Sequence, residues 1–149
     1  MTKELNLSDE IAPQFHEPHC LIRDETFSEF WFKGGRGSTK STFAAQEIIL
    51  NLISDSNANA IAFRKTGNTL RDSILPTILF AVDKFQKTHK FDHIKSPTEI
   101  TYNPTGQKIL MRGLDDEAKI KSIKAQKGYF KILWLRSFKS LVEWKKYEA

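Results

Sequence analysis

Apolar positions along this chain change period several times, and each change marks an element. Ala44, Ala45, Ile48, Ile49, Leu52 and Ile53 recur at helical spacing, which predicts a helix over residues 42–54. Residues 58–65, Ala-Asn-Ala-Ile-Ala-Phe-Arg-Lys, read as a short buried strand. Beyond Thr66, Gly67 and Asn68, the positions Leu70, Ile74, Ile78, Val82 and Phe85 trace a second helix, bent or restarted at Pro76, whose missing N–H interrupts the ladder. Residues 98–102 and 108–112 flank Asn103-Pro104-Thr105-Gly106, a hairpin signal. Residues 129–135 read as another core strand, and the aromatic run Phe30-Trp31-Phe32-Lys33 has strand character. Residues 1–26 form a leader with turn signals at Pro13 and Pro18. Strands alternating with helices predict an α/β fold with a mainly parallel sheet flanked by helices.

Composition narrows the class. A chain of 149 residues fits one domain with a buried core, and 40% hydrophobic with 28% charged residues is a soluble globular balance. No apolar run approaches the roughly 20 residues of a membrane span, and the acid-bearing N-terminus has no apolar stretch of the secretory kind. The one cysteine, Cys20, excludes an internal disulfide and fits a reducing cytoplasm. Net charge is +5, but residues 119–149 alone hold nine Lys and Arg against two Glu. Lys119, Lys121, Lys124, Lys127 and Lys131 are therefore candidates to contact a nucleic-acid backbone, the alternative being a solvated basic segment.

The sharpest chemistry lies between the aromatic run and the first helix. Gly34-Gly35-Arg36-Gly37-Ser38-Thr39-Lys40-Ser41 has the spacing of a phosphate-binding loop, in which backbone N–H groups cradle phosphates, a lysine reaches the terminal ones and a hydroxyl holds Mg²⁺. Strand, glycine-rich turn and helix N-terminus together aim free N–H groups and the positive end of the helix dipole at an anion. A nucleoside triphosphate is the ligand this arrangement suits, in a fold of the P-loop NTPase type. Thr39 stands where the pattern has its second glycine, and its Cβ restricts how closely the backbone can approach.

Other clusters are weaker. His16, His19 and Cys20 are close in sequence, but Pro18 disfavours the helix that would align the histidines, and a structural or pocket role suits them better than a metal site. His89 and His93 read as surface residues. Asp115, Asp116 and Glu117 follow Gly113 in what reads as a solvated turn.

Several segments in order carry a family resemblance: residues 33–41; Phe63-Arg64-Lys65-Thr66-Gly67-Asn68-Thr69-Leu70-Arg71-Asp72-Ser73; residues 104–110; Arg112-Gly113-Leu114-Asp115-Asp116; and Lys121-Ser122-Ile123-Lys124. Together they resemble the N-terminal ATPase part of a phage terminase large subunit of the PBSX-like type, over about residues 5–134. The resemblance implies an ATP-driven motor that packages double-stranded DNA into proheads in the cytoplasm of a bacterial host. It implies a terminase small subunit and a portal protein as partners, and a homo-oligomeric ring. By the same resemblance Lys40 binds the β- and γ-phosphates of ATP, Ser41 holds Mg²⁺, and the backbone from Gly34 to Thr39 wraps the phosphates. Arg36 is the candidate to stabilise charge on the transferring phosphoryl group, or else a surface arginine; Arg64 and Arg71 also match family positions or simply pair on the surface.

The chain departs from that family at the end of the last strand. The family places an aromatic residue and two glutamates there, one for the metal and one for the attacking water; here Leu135-Arg136-Ser137 follow Trp134. The expectation is an ATP-binding domain over residues 1–134, incomplete at its C-terminal end, that binds ATP weakly and lacks hydrolysis, with the nuclease domain absent. Residues 135–149 are expected to be the family's continuation read out of frame. A Met-Glu pair, ATG-GA, shifted by one base yields tryptophan, as at Trp144, and a following Glu-Glu-Ile yields two basic residues, as at Lys145 and Lys146. The competing reading is a basic amphipathic helix presenting Leu135, Phe138, Leu141 and Val142. An inert prophage remnant, or a small nucleotide- or nucleic-acid-binding module, stands as the alternative function.

Overall fold

A computed structural model describes residues 5–32, 39–65, 67, 70–115 and 117–136. Its elements are α1 (Leu7–Glu10), α2 (His16–Arg23), α3 (Lys40–Ser54), β1 (Ala58–Arg64), α4 (Ile74–Lys84), β2 (Phe91–Lys95), β3 (Thr98–Tyr102), β4 (Gln107–Gly113), α5 (Glu117–Lys121) and β5 (Tyr129–Arg136). Among the described residues the strands form one sheet in the order β2-β3-β4-β1-β5.

The sheet is mixed. β1 pairs in parallel with β4 and with β5, whereas β3 runs antiparallel to both β2 and β4. The mainly parallel sheet expected from sequence is thus parallel only in its β4-β1-β5 half, because the hairpin at 103–106 extends the sheet through two further antiparallel strands. β1 lies between two partners, and its small alternating residues suit that place: Ala58, Ala60 and Ala62 have no exposed surface. Ala60 and Ala62 let α3 and α4 close onto the sheet, where Ile48, Ile49, Ile74, Ile78, Ile109 and Met111 complete the main core. The opposite face carries a smaller cluster of Ile61, Phe63, Leu110 and Leu114, partly covered by Ile120 and Ile123.

Three expectations need correction. Phe30, Trp31 and Phe32 form no strand; Phe32 instead meets Phe15 and Phe43 edge-on at 5.9 and 5.5 Å, so the aromatic run serves a cluster between the leader and α3. Lys33, the last residue of that expected strand, lies outside the described residues. Pro76 neither bends nor restarts a helix running from Leu70: α4 begins at Ile74, and a proline in the first turn removes an N–H that has no intrahelical acceptor. Pro18 likewise sits in the first turn of α2 and does not prevent it. The leader packs on α3, with Ile11 and Phe15 buried against Phe43 and the Gln46 side chain donating to the Glu10 carbonyl at 2.9 Å.

Strand β2 has no counterpart in the sequence reading. Only Phe91 of its five residues is buried, so no apolar alternation announces it. At the other end, β5 continues through Leu135 and Arg136, which pair with Phe63 and Arg64 of β1. Residues 137–149 lie outside the described residues. No helix among the described residues is long and apolar enough to cross a membrane.

Candidate functional site

Helix α3 feeds β1 through three residues, and β1 returns to α4, so both helices start at the carboxyl end of β1. They pack side by side on one face of the sheet. In open α/β sheets this end, where loops leave the strands, is where ligands bind.

Of the candidate phosphate-loop residues, Gly34, Gly35, Arg36, Gly37 and Ser38 lie outside the described residues; Thr39, Lys40 and Ser41 are placed. Lys40 and Ser41 open the 15-residue α3. Thr39 caps it with φ 62° and ψ 8°, and its side chain makes no capping bond to the helix. Instead its hydroxyl accepts from Gln14 Nε2 at 3.3 Å. The Thr39 hydroxyl is thus turned away from the helix start, and a helix N-terminus is a general place for an anion to bind. A left-handed conformation is the one glycine adopts without steric cost and a β-branched residue does not. The threonine thus occupies the glycine's conformation as well as its position.

Two arginines stand at the start of α4. Arg64 and Arg136 are register partners at the ends of β1 and β5. Arg64 Nη1 donates to the Ser73 hydroxyl, on the residue that caps α4, and Arg136 Nη1 reaches the Thr77 hydroxyl at 3.5 Å. Arg136 also lies 5.9 Å from the Trp134 ring centroid. Burial, and then the like charge of Arg64, lower the pKa of Arg136. A guanidinium keeps its proton, so the two effects register as an electrostatic cost that an anion between the side chains relieves. Arg136 was not foreseen as a site residue. The strand period that carries Ile132 and Trp134 to the α3 and α4 face would have placed it there.

The remaining candidates scatter. Arg71 is bonded to the Lys95 carbonyl at 3.0 Å, a local surface pairing. His16 is held by the Ile11 carbonyl at 2.8 Å, and His19 bonds Glu47 of α3, so both histidines fasten the leader rather than face the site. Burial raises the pKa of Glu47, with His19 opposing it. His89 and His93 are exposed, on a turn and on β2. Asp115 accepts from the Gly67 N–H at 3.0 Å, tying the end of β4 to the loop after β1; Asp116 is outside the described residues, and Glu117 is exposed on α5. Of the basic set, Lys131 sits 3.5 Å from Glu25 and 3.6 Å from Asp55, and Lys121 lies 3.9 Å from Glu117. Cys20 is exposed.

Residues 26–146 match the family described as phage terminase large subunit. The chain belongs to that family. It is 36% identical over 133 residues to the large subunit of the terminase of Bacillus phage SPP1, a span that is 89% of this chain and 31% of the relative. It is 29% identical over 114 residues to the PBSX phage terminase large subunit of Bacillus subtilis, covering 76% of this chain and 25% of the relative. This terminase-family chain therefore spans about a third or less of the length of these relatives. The family match runs past Trp134, through Leu135 and Arg136 and into the basic tail.

Proposed function

We propose that this chain is the ATP-binding portion of a terminase large subunit, the motor that drives double-stranded DNA into a prohead. The observation that carries the reading is the start of α3, with Lys40 and Ser41 in its first turn and Thr39 in a glycine-like conformation, at the end of the sheet where β1 and β5 finish in Arg64 and Arg136. This donor set fits a magnesium-bound triphosphate, whose chemistry is a transferable terminal phosphoryl group. Lys40 would hold the β- and γ-phosphates, Ser41 the Mg²⁺, and the backbone from Gly34 to Thr39 the phosphate oxygens, with Arg36 the candidate for charge developing on the transferred group.

Binding is proposed without turnover. Phosphoryl transfer depends on positioning and charge stabilisation, and β5 ends in Leu135 and Arg136 where the family resemblance calls for two glutamates. A guanidinium can attract a phosphate but can neither ligate a cation nor orient a water as a base does. The portal, the small subunit and a ring assembly belong to the whole protein and remain proposals for this chain.

Titration with a fluorescent ATP analogue in the presence of Mg²⁺ tests the reading. Saturable binding that disappears in Lys40→Ala is expected, with no phosphate release from ATP. Binding that survives Lys40→Ala at unchanged affinity would sink it. The inert-remnant reading has one observation in its favour: among the described residues β5 is an edge strand, with Tyr129 and Leu133 about half exposed. Such an edge is an aggregation template, so a chain that precipitates without binding nucleotide would favour that reading. Sequencing the encoding DNA beyond the Trp134 codon in all frames tests the out-of-frame tail; a neighbouring frame opening with paired glutamates is the expected result.

A further inference from the structure

We infer that the sheet face opposite α3 and α4 carries a binding cleft for the phosphodiester backbone of duplex DNA, lined by Lys108, Arg112, Lys119, Lys124 and Lys127. The proposal rests on the terminase reading for its choice of polyanion, but the site itself follows from placement. β4 alternates across the sheet, sending Ile109 and Met111 into the main core and Lys108 and Arg112 to the other side. There the segment after α5 folds back over the sheet and encloses an open cleft of about 300 Å³.

Five cations and one carboxylate, Glu99, line this cleft among the described residues. Glu99 is shared, its two oxygens lying 2.6 Å from Arg112 Nη2 and 3.5 Å from Lys108 Nζ, so the lining keeps a charge of +4. The lysine segment is anchored. Asn59 is 5% exposed; its amide donates to the Lys127 carbonyl at 2.7 Å and its oxygen accepts from the Lys108 N–H at 2.9 Å. One buried side chain thus fixes Lys127 against Lys108. Gly128 makes the turn into β5 with φ 75°, and a Cβ there would stand 2.0 Å from the Asn57 carbonyl oxygen.

This arrangement divides the basic cluster that the sequence presents as a single group. Lys119, Lys124 and Lys127 face the cleft, whereas Lys121 and Lys131 are paired with carboxylates elsewhere. A shallow cleft with several fixed cations suits successive backbone phosphates, whose binding neutralises charge without reading bases.

The test is fluorescence anisotropy of a short labelled duplex with the 149-residue chain between about 50 and 200 mM salt. Lys124→Gln/Lys127→Gln is compared with Lys121→Gln/Lys131→Gln, all checked for unchanged circular dichroism and melting midpoint. Each lost phosphate contact should lower the steepness of log K against log salt by about 0.9. The cleft pair is expected to flatten the slope by nearly two such steps and weaken binding about tenfold or more, while the second pair leaves the slope as it was. Equal losses in both pairs would mean diffuse charge attraction and overturn the cleft. Loss of ATP-analogue binding in the cleft pair, with DNA binding intact, would reassign it as a nucleotide site. No DNA binding by the parent chain would overturn both the cleft and the DNA part of the terminase reading, whereas Lys40-dependent ATP binding would still stand.

Discussion

The two faces of the sheet are built on different principles. The α3 and α4 face is closed and apolar, with Ile49, Ile74 and Ile78 fully buried between helices and strands. The other face has a small apolar patch and a short five-residue helix, and its strands send Lys108, Arg112 and Glu99 into an open cleft. At the carboxyl end of that packed face α3 begins, and β1 and β5 finish in Arg64 and Arg136. An open face leaves charges solvated and able to exchange counterions for a polyanion. In the proposed reading, nucleotide binding and sequence-indifferent DNA contact fall on opposite sides of one sheet.

The largest effect that would break this contrast is on stability. Ile49→Ala should cost about 2–5 kcal/mol as a cavity in a packed core, whereas Ile123→Ala on the open face should cost about 1–2 kcal/mol for partial burial. Urea unfolding of both variants measures the difference, and equal costs would mean the faces are equally packed. Arg136→Gln sharpens the reading of the edge because two quantities should move in opposite directions. Removing one of two like charges is expected to leave the melting midpoint unchanged or raised, while ATP-analogue binding weakens about tenfold, roughly 1.4 kcal/mol. A parallel fall in both would make Arg136 a structural residue.

Thr39→Gly is expected to stabilise the chain by about 1 kcal/mol by relieving the left-handed conformation, and to tighten nucleotide binding. A loss of stability would show that the bond from Gln14 outweighs the strain. The smallest expected effect concerns the buried pair that fastens the leader. Burial holds the folded pKa of Glu47 above the ordinary glutamate value. Its contribution is therefore complete at acid pH below that value and is lost as pH rises through the folded pKa. Glu47→Gln should flatten this decline in melting midpoint across the acidic range, and an unchanged profile would refute it.

How far the sequence could be read follows from what each element buries. The core helices and β1, β3, β4 and β5 announce themselves because one or both of their faces are apolar. β2 escapes detection because four of its five residues face water. The aromatic run at Phe30 to Phe32 misleads for the opposite reason: its rings are bulky and apolar, as in a strand, yet Phe32 spends them on Phe15 and Phe43. Lys40 and Ser41 stand out as candidates from spacing alone, while Arg136 becomes a candidate only once β5 is paired residue by residue with β1.

Local pattern by itself determined the α/β class, a helix over residues 42–54, and the family likeness, since these rest on periodicity and on spacings of a few residues. Tertiary structure decided that the sheet is half antiparallel, that the leader packs on α3, and that Arg64 and Arg136 share one edge. It also decided which lysines of the basic cluster face a common cleft and which are paired elsewhere. Each of these depends on contacts between positions tens of residues apart, such as Asn59 bridging Lys108 and Lys127, and no short-range pattern encodes such a contact.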